Sequence, residues 1–451
     1  MKFLIKEKSF YSDLFSLTLP IMLQQLLRIS VDTVNSIMLG GIDQLQMSAV
    51  SQASQIFFVF YTVCNGLAVG ACVLIAQYWG KRNVDAIRTI LSTGLRYSAV
   101  FGLAVSILVM ATPTTFMRIY SSDPALIELG AGYLRVVALM YAPCAISVML
   151  FAACRGVEQV RIILATNVIS YTVNIFLDYC LLFGKFGFPK LGILGIAIGT
   201  VAARLVELVI CSVFVLKFES HISFRFGHLK LWDKQINRDF IKVASPIAAH
   251  EVIWSIGTSA SSAITGQLGT SVVAGFNVAD VLYQLTAAVG NGFLNACSVV
   301  IGKTIGSGNI EKVKRQAKTM MLMSVFGGVM IGLVLIAARG PFLSLYNLQP
   351  DAVSYAKQFM LVLGCIWPFS ALEMVGMIAI LRAGGDGKTG FYSDIVIMWI
   401  ICIPLAALAA FVLHLPPVQV ILILKMTIVL EAIVGTIRVL SMRWIRDLTR
   451  H

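Results

Sequence analysis

Residues 65–83, NGLAVGACVLIAQYWGKRN, return at residues 291–309 as NGFLNACSVVIGKTIGSGN, a constant 226 positions later. The correspondence runs back without a gap to Pro20 and Pro246. On the way it keeps Ser36, Gly40, Ala53, Val73 and Ile75 as Ser262, Gly266, Ala279, Val299 and Ile301. Gly80 and Asn83 close it as Gly306 and Asn309. Two unrelated apolar stretches share a few residues by composition alone. An ungapped set in which Pro, Gly and Asn are prominent points instead to duplication. Duplicated hydrophobic halves are a common plan of secondary transporters, whose substrate and ion sites lie where the repeats meet.

The composition agrees. The 451-residue chain is 58% hydrophobic and 13% charged, with a mean hydropathy of +0.86. Soluble domains carry about 25% charged residues, so this is the composition of an integral membrane protein. The start, MKFLIKEKSFYSD, is charged and lacks the apolar length of a cleavable signal peptide, so none is expected. The nine cysteines lie in apolar stretches without C-x-x-C spacing, which argues against a disulfide framework or a zinc site.

A spanning length of about 20 residues predicts twelve helices. They fall near 14–38, 48–79, 88–113, 127–152, 161–183, 192–216, 240–265, 277–303, 318–338, 352–382, 390–413 and 417–443. One long polar connection, 217–239, separates an N-terminal lobe of six helices (1–216) from a C-terminal lobe of six (240–451). An even number of helices per half makes the two lobes parallel repeats, related by an axis along the membrane normal. The net charge of +13 gathers on one side: Lys6, Lys81, Arg82, Arg155, Lys230, Lys314, Arg382 and Lys388 lie in the tail, the linker and alternate loops. The opposite loops hold Arg118, Lys185, Lys190 and Arg339. This bias places both termini in the cytoplasm of a multi-pass inner-membrane protein. The charge then reports topology and contact with anionic lipid, and no nucleic-acid partner is expected.

Polar groups at membrane depth are costly, so each is a functional candidate. Asn174 and Asp178 in TVNIFLDYCLLF stand four apart on one face of helix 5. A carboxylate beside an amide oxygen suits a proton or a small hard cation such as Na+. The plain alternative is a solvated aspartate near the helix end. Thr200 of helix 6, in LGILGIAIGTVAARL, can add an oxygen, while Gly192, Gly195 and Gly199 read as packing residues. Helix 1 carries Asp32 and Asn35 on one face, although Arg28, four residues before Asp32, can simply pair with it. In helix 7, Glu251 lies in ASPIAAHEVIWSIG beside Trp254, and its repeat partner is the neutral Gln25. An acid and an aromatic ring suit an organic cation. Otherwise Glu251 is a carboxylate held by His250 or a neighbouring helix. Glu373 in IWPFSALEMVGM of helix 10 is a similar candidate.

Ile301-Gly302-Lys303-Thr304 resembles the tail of a phosphate-binding loop, but Cys297 stands where its leading glycine belongs. Nor does the chain contain HExxH or GxSxG, so an enzyme is not expected.

The chain resembles the multidrug and toxic compound extrusion (MATE) transporters over essentially its whole length. The resemblance is carried by LPIMLQQL, NSIMLGGI, NGLAVGACVLIAQYWGKRN, NIFLDY, HEVIWSIG, NACSVVIGKTIGSGN, LRAGGDGKT and SDIVIMWIICIPLA, in that order. It implies an all-α polytopic fold of two six-helix lobes around a cleft, and a secondary antiporter that exports organic cations in exchange for Na+ or H+. It implies no cofactor beyond that ion, small-molecule organic cations and membrane lipid as partners, and a monomer. The family's ion site in the first lobe is matched by Asn174, Asp178 and Thr200, and its helix 7 glutamate by Glu251. At the family's helix 1 aspartate position this chain has Asn35, with Asp32 one turn earlier. Either the acid has moved a turn along the same face, or the helix 1 ligand is neutral and Asp32 pairs with Arg28. The alternative function is flipping of a lipid-linked oligosaccharide, whose pyrophosphate calls for a cleft lined with Arg and Lys.

Overall fold

A computed structural model describes residues 5–40, 43–346 and 348–449; Gly41 and Ile42, which end NSIMLGGI, lie outside the described residues. Among the described residues the structure is helical without strands. The long rods are α1 (Lys8–Gly40), α2 (Gln44–Gly80), α3 (Val84–Ala111), α4 (Pro124–Gly156), α5 (Val160–Phe183) and α6 (Ile193–Phe218). They continue as α7 (Lys234–Gly266), α8 (Thr270–Gly306), α9 (Ile310–Leu343), α10 (Pro350–Leu381), α11 (Gly387–Phe411) and α12 (Pro417–Leu440). All but α7 are long and apolar enough to cross a membrane. The exception arises inside α7, where His250, Glu251 and a run of Ser and Thr residues (Ser255, Thr258, Ser259, Ser261, Ser262) lower the apolarity of the stretch after Lys242. The fold class is therefore the predicted all-α polytopic membrane protein.

Two details differ from expectation. A short helix, Pro113–Tyr120, follows α3, with Pro113 supplying the preset φ that suits a first helical turn. The connection read as 217–239 is shorter than its polarity suggests, since α6 runs to Phe218 and α7 begins at Lys234. It is also anchored. Arg88 Nε donates to the Ile222 carbonyl at 2.8 Å, and the Arg96 guanidinium lies 4.8 Å from the Trp232 ring centre.

The repeated residues punctuate the rods. Gly266 is the last residue of α7, and Gly80 and Gly306 are those of α2 and α8. Asn83 and Asn309 cap the helices that follow, accepting from the backbone N–H of Ala86 at 3.1 Å and of Lys312 at 3.0 Å. Repeat-related helices thus begin and end through the same local chemistry.

Contacts divide the chain into two compact units, Leu23–Ala248 on one side and Met1–Met22 with Ala249–His451 on the other. Both divisions fall inside helices, α1 and α7, at repeat-related positions two residues beyond Pro20 and Pro246. Division by contacts therefore does not follow the linker. The first turns of α7 belong with α2–α6, and those of α1 with α8–α12. Within the Leu23–Ala248 unit, α4 packs on α2, α3 and α6, while α5 lies along α6. Within the other unit, α10 packs on α8, α9 and α12, and α11 lies along α12, so the repeat extends to the packing order.

Close backbone approach seats the shared turns. A Cβ at Gly66 would fall 2.5 Å from Ala248 Cα, and one at Gly292 2.9 Å from Met22 Cβ. Gly66 and Gly292 are repeat partners, and so are Ala248 and Met22. Gly66→Leu or Gly292→Leu is therefore expected to lower stability by about 1–3 kcal/mol through overpacking. Gly40→Ala, which meets nothing within 4 Å, should change it far less. Melting of the purified protein in detergent measures both, and equal melts would contradict the tight approach.

Candidate functional site

In the Leu23–Ala248 unit, α5 carries Asn174 and Asp178 one turn apart, both buried. Asn174 Nδ2 donates to Asp178 Oδ2 at 2.9 Å, and Asn35 Nδ2 of α1 donates to Asn174 Oδ1 at 3.2 Å. Two amides thus point their donors along one line toward the acid. Asp178 is fully buried because α6 offers glycines opposite it: a Cβ at Gly199 would collide with Asp178 Oδ1, and one at Gly195 would lie 2.7 Å from Leu181 Cβ. Among the described residues, Asp178 Oδ1 and Asn35 Oδ1 are buried acceptors with no donor. An unmet buried acceptor costs about 1–3 kcal/mol, a cost that a proton or an oxygen-seeking cation removes.

Asp32 is not part of this line. It lies on an exposed face of α1, with Arg28 Nη1 3.9 Å from Asp32 Oδ2. Of the two helix 1 arrangements, the structure has the neutral Asn35 on the α5 pair and the acid on Arg28. Thr200 adjoins Gly199, and its hydroxyl donates to the Ile196 carbonyl at 2.9 Å, leaving its oxygen as an acceptor. Further along α6, Arg204 Nη1 donates to the buried Glu207 Oε2 at 2.7 Å.

The second constellation lies wholly in the other unit. Glu251 Oε1 accepts from Arg382 Nη1 at 2.8 Å, and Arg382 Nη2 is 2.8 Å from His250 Nδ1. His250 Nε2 is 3.3 Å from Asp394 Oδ2 of α11, and Glu431 of α12 stands beside Asp394. Glu373 is within electrostatic reach of Asp394, Arg382 and Glu251. Arg382, read from the sequence as a loop charge, is in fact buried at the end of α10. Local backbone contributes to this placement. The π-helical turns Met374–Leu381 and Asp394–Cys402 begin directly after Glu373 and at Asp394, widening α10 and α11 where the acids stand. Four acids around one guanidinium leave an excess of carboxyl groups that protons or a cation must match. Trp254 sits apart from this hydrogen bonding, with 43% of its surface exposed.

Reading the sequence for motifs missed Glu207, Asp394, Glu431 and Lys425, and took Arg382 for a loop charge, whereas His250 was already named as a partner of Glu251. Most of them shared a visible signal, a charge inside an apolar run such as VAARLVELVIC, YSDIVIMWIIC, LILKMTIV or TIVLEAIVG. The same unit also carries a half-open apolar pocket of about 470 Å³ beside Phe293, Met323, Phe326, Trp367 and Met374.

Comparison with known proteins places this architecture. The MatE family pattern matches residues 20–180 and 246–408, two segments that start at the repeated prolines. Probable multidrug resistance protein NorM of Thermotoga maritima is 26% identical over 401 residues, 87% of this chain and 84% of that protein. Multidrug resistance protein MdtK of Photorhabdus laumondii is 25% identical over 406 residues, 87% of this chain and 86% of that one. A crystal structure of MATE in complex with MaL6 shares the fold, with a TM-score of 0.87 at 17% identity over 96% of each chain. With the family pattern covering most of both repeats, this multi-pass membrane protein belongs to the MatE family.

Proposed function

We propose that the protein is a secondary antiporter that exports small amphipathic organic cations in exchange for Na+ or H+, and that it is not an enzyme. The observation that carries this reading is the Asn35–Asn174–Asp178 line, which ends in a buried carboxylate oxygen without a donor. An exchangeable ion site needs a buried charge that can be satisfied in two ways, by the ion or by protein groups. Here Asp178, Asn174 and Asn35 serve the coupling ion, with Thr200 at the margin and Asp32 outside the site. The cluster of Glu251 and Glu373 serves the substrate or a competing proton. A ligand cation at Glu251 has to displace Arg382 from the carboxylate, which links binding to a local rearrangement. Trp254, on an exposed face, takes no part in that exchange.

Flipping of an anionic lipid-linked sugar is the less favoured reading. It calls for available guanidinium groups such as Arg28, Arg135 and Arg204. Yet Arg28 stands by Asp32 and Arg204 by Glu207, as Arg382 does by Glu251, which leaves Arg135 as the one of the three without a neighbouring acid among the described ion pairs. The two six-helix lobes, 1–216 and 240–451, act in this proposal as halves of a monomer in the inner membrane, with both termini cytoplasmic.

Expression in an efflux-deficient bacterium tests the function. Ethidium accumulation should fall when the chain is present and an Na+ or pH gradient is imposed, and should recover when the gradient is collapsed. Unchanged accumulation over a broad panel of cationic dyes would overturn the proposal. Glu251→Gln should reduce export of cationic dyes more than of neutral ones, because it removes the carboxylate a ligand cation would meet and leaves a neutral amide beside the Arg382 guanidinium. Equal effects on both dye classes would take Glu251 out of substrate handling.

A further inference from the structure

Lys425 lies in the middle of α12, within LILKMTIV, where a lysine is costly in a membrane. Its ammonium nitrogen stands 5.7 Å from the centre of the Phe276 ring and 5.5 Å from that of Tyr283. Both distances are inside the roughly 6 Å reach of cation–π attraction. Phe276, Asp280 and Tyr283 share one face of α8 by their spacing, and the charge of Asp280 acts on Lys425. The close partner of Asp280 is Gln284, whose Nε2 donates to Oδ2 at 2.7 Å. Among the described residues the lysine is therefore held by ring faces and longer-range charge rather than by a direct salt bridge.

The walls of this cage are braced. The Tyr283 hydroxyl is 3.1 Å from Ser370 Oγ, and its ring lies 5.7 Å from that of Trp367. Trp367 is fully buried and donates to Thr286 Oγ1 at 3.0 Å, while the Phe276 ring meets Phe359 edge-on at 5.8 Å. Glu373 also acts electrostatically on Tyr283, which joins the cage to the acidic cluster. Rigid walls surround a cation carried on a flexible four-carbon stem.

We infer that Phe276, Asp280 and Tyr283 form an ammonium-binding subsite for the transported organic cation, and that Lys425 is its tethered competitor. The lysine fills the cage when no substrate is present and withdraws when a substrate ammonium enters. A substrate leaving the subsite gives it back to Lys425, which keeps affinity low enough for release. This inference rests on organic cations being the substrate class.

The test uses the full chain purified in detergent, with ethidium binding read by fluorescence anisotropy and tetramethylammonium binding by melting temperature. Lys425→Met is expected to bind ethidium about tenfold more tightly than the wild type. Lys425→Arg should stay near the wild type, and adding Tyr283→Leu to Lys425→Met should erase the gain. Tetramethylammonium should stabilise Lys425→Met, with Lys425→Gln as a second variant should the first fold poorly. Unchanged ethidium affinity in Lys425→Met, or a gain that survives Tyr283→Leu, would overturn the inference. A Lys425→Met protein stabilised by tetramethylammonium, in a transporter that exports no dye, would uphold the subsite and sink the efflux reading instead. Dye export without any effect of Lys425→Met on binding would do the reverse.

Discussion

Asp178→Asn is expected to reduce gradient-driven dye export to the level of cells without the protein, while leaving folding and membrane insertion intact. The substitution keeps the shape of the side chain and an acceptor for the Asn174 amide, so the α5–α6 seam at Gly199 is preserved. What it removes is the charge, and with it the reason for a cation or proton to enter the site. Asn35→Ala should weaken coupling less severely, because it removes only the first amide of the line. Asp32→Asn is the informative contrast. Asp32 is exposed and 3.9 Å from Arg28, a geometry whose stabilising worth is at most about 1 kcal/mol, so export should stay close to the wild type. The measurement is ethidium efflux from proteoliposomes with an imposed Na+ or pH gradient. Normal export by Asp178→Asn would make the α5 carboxylate structural and move the ion site to Glu251 or Glu373.

The contrast between Asp178 and Asp32 shows how much of the site was legible in the sequence. Spacing alone set Asn174 and Asp178 on one face, since four residues slightly exceed one helical turn. Spacing also set Asp32 and Asn35 on one face, but not which of them meets α5. That depends on the rotation of α1 about its axis, a tertiary quantity that local periodicity does not carry. The fold was more legible. The repeated Gly and Asn residues mark helix ends, caps and close approaches, which are local requirements. The division of α1 and α7 between the two compact units was not, because nothing in a continuous helical pattern says which neighbours each turn will find. Arg382 was misjudged for a related reason. A basic residue near a helix end reads as a loop charge, and only the partners brought to it by α7 and α11 make it a buried one.

That burial gives Arg382 the largest expected effect on stability. Its guanidinium forks, one nitrogen reaching Glu251 and the other His250, each at 2.8 Å. Arg382→Met removes the one permanent positive charge of a cluster that also holds Glu373, Asp394 and Glu431. Breaking a buried pair by removing one partner typically costs about 3–5 kcal/mol, because the remaining charge is stranded. Arg382→Met should therefore melt far below the wild type or fail to accumulate. Arg382→Lys should recover only part of the loss, since an ammonium does not reproduce the planar fork. Glu251→Gln should cost much less alone, and in combination with Arg382→Met should restore part of the lost stability, with a coupling of about 0.5–3 kcal/mol. A neutral amide in place of the Glu251 carboxylate needs no countercharge, while Asp394 and Glu431 still lack one, so rescue is partial. Melting of the four proteins in detergent closes the cycle. Strictly additive effects, or an Arg382→Met protein as stable as the wild type, would mean that the guanidinium does not hold the cluster together and that its acids are matched by protons alone.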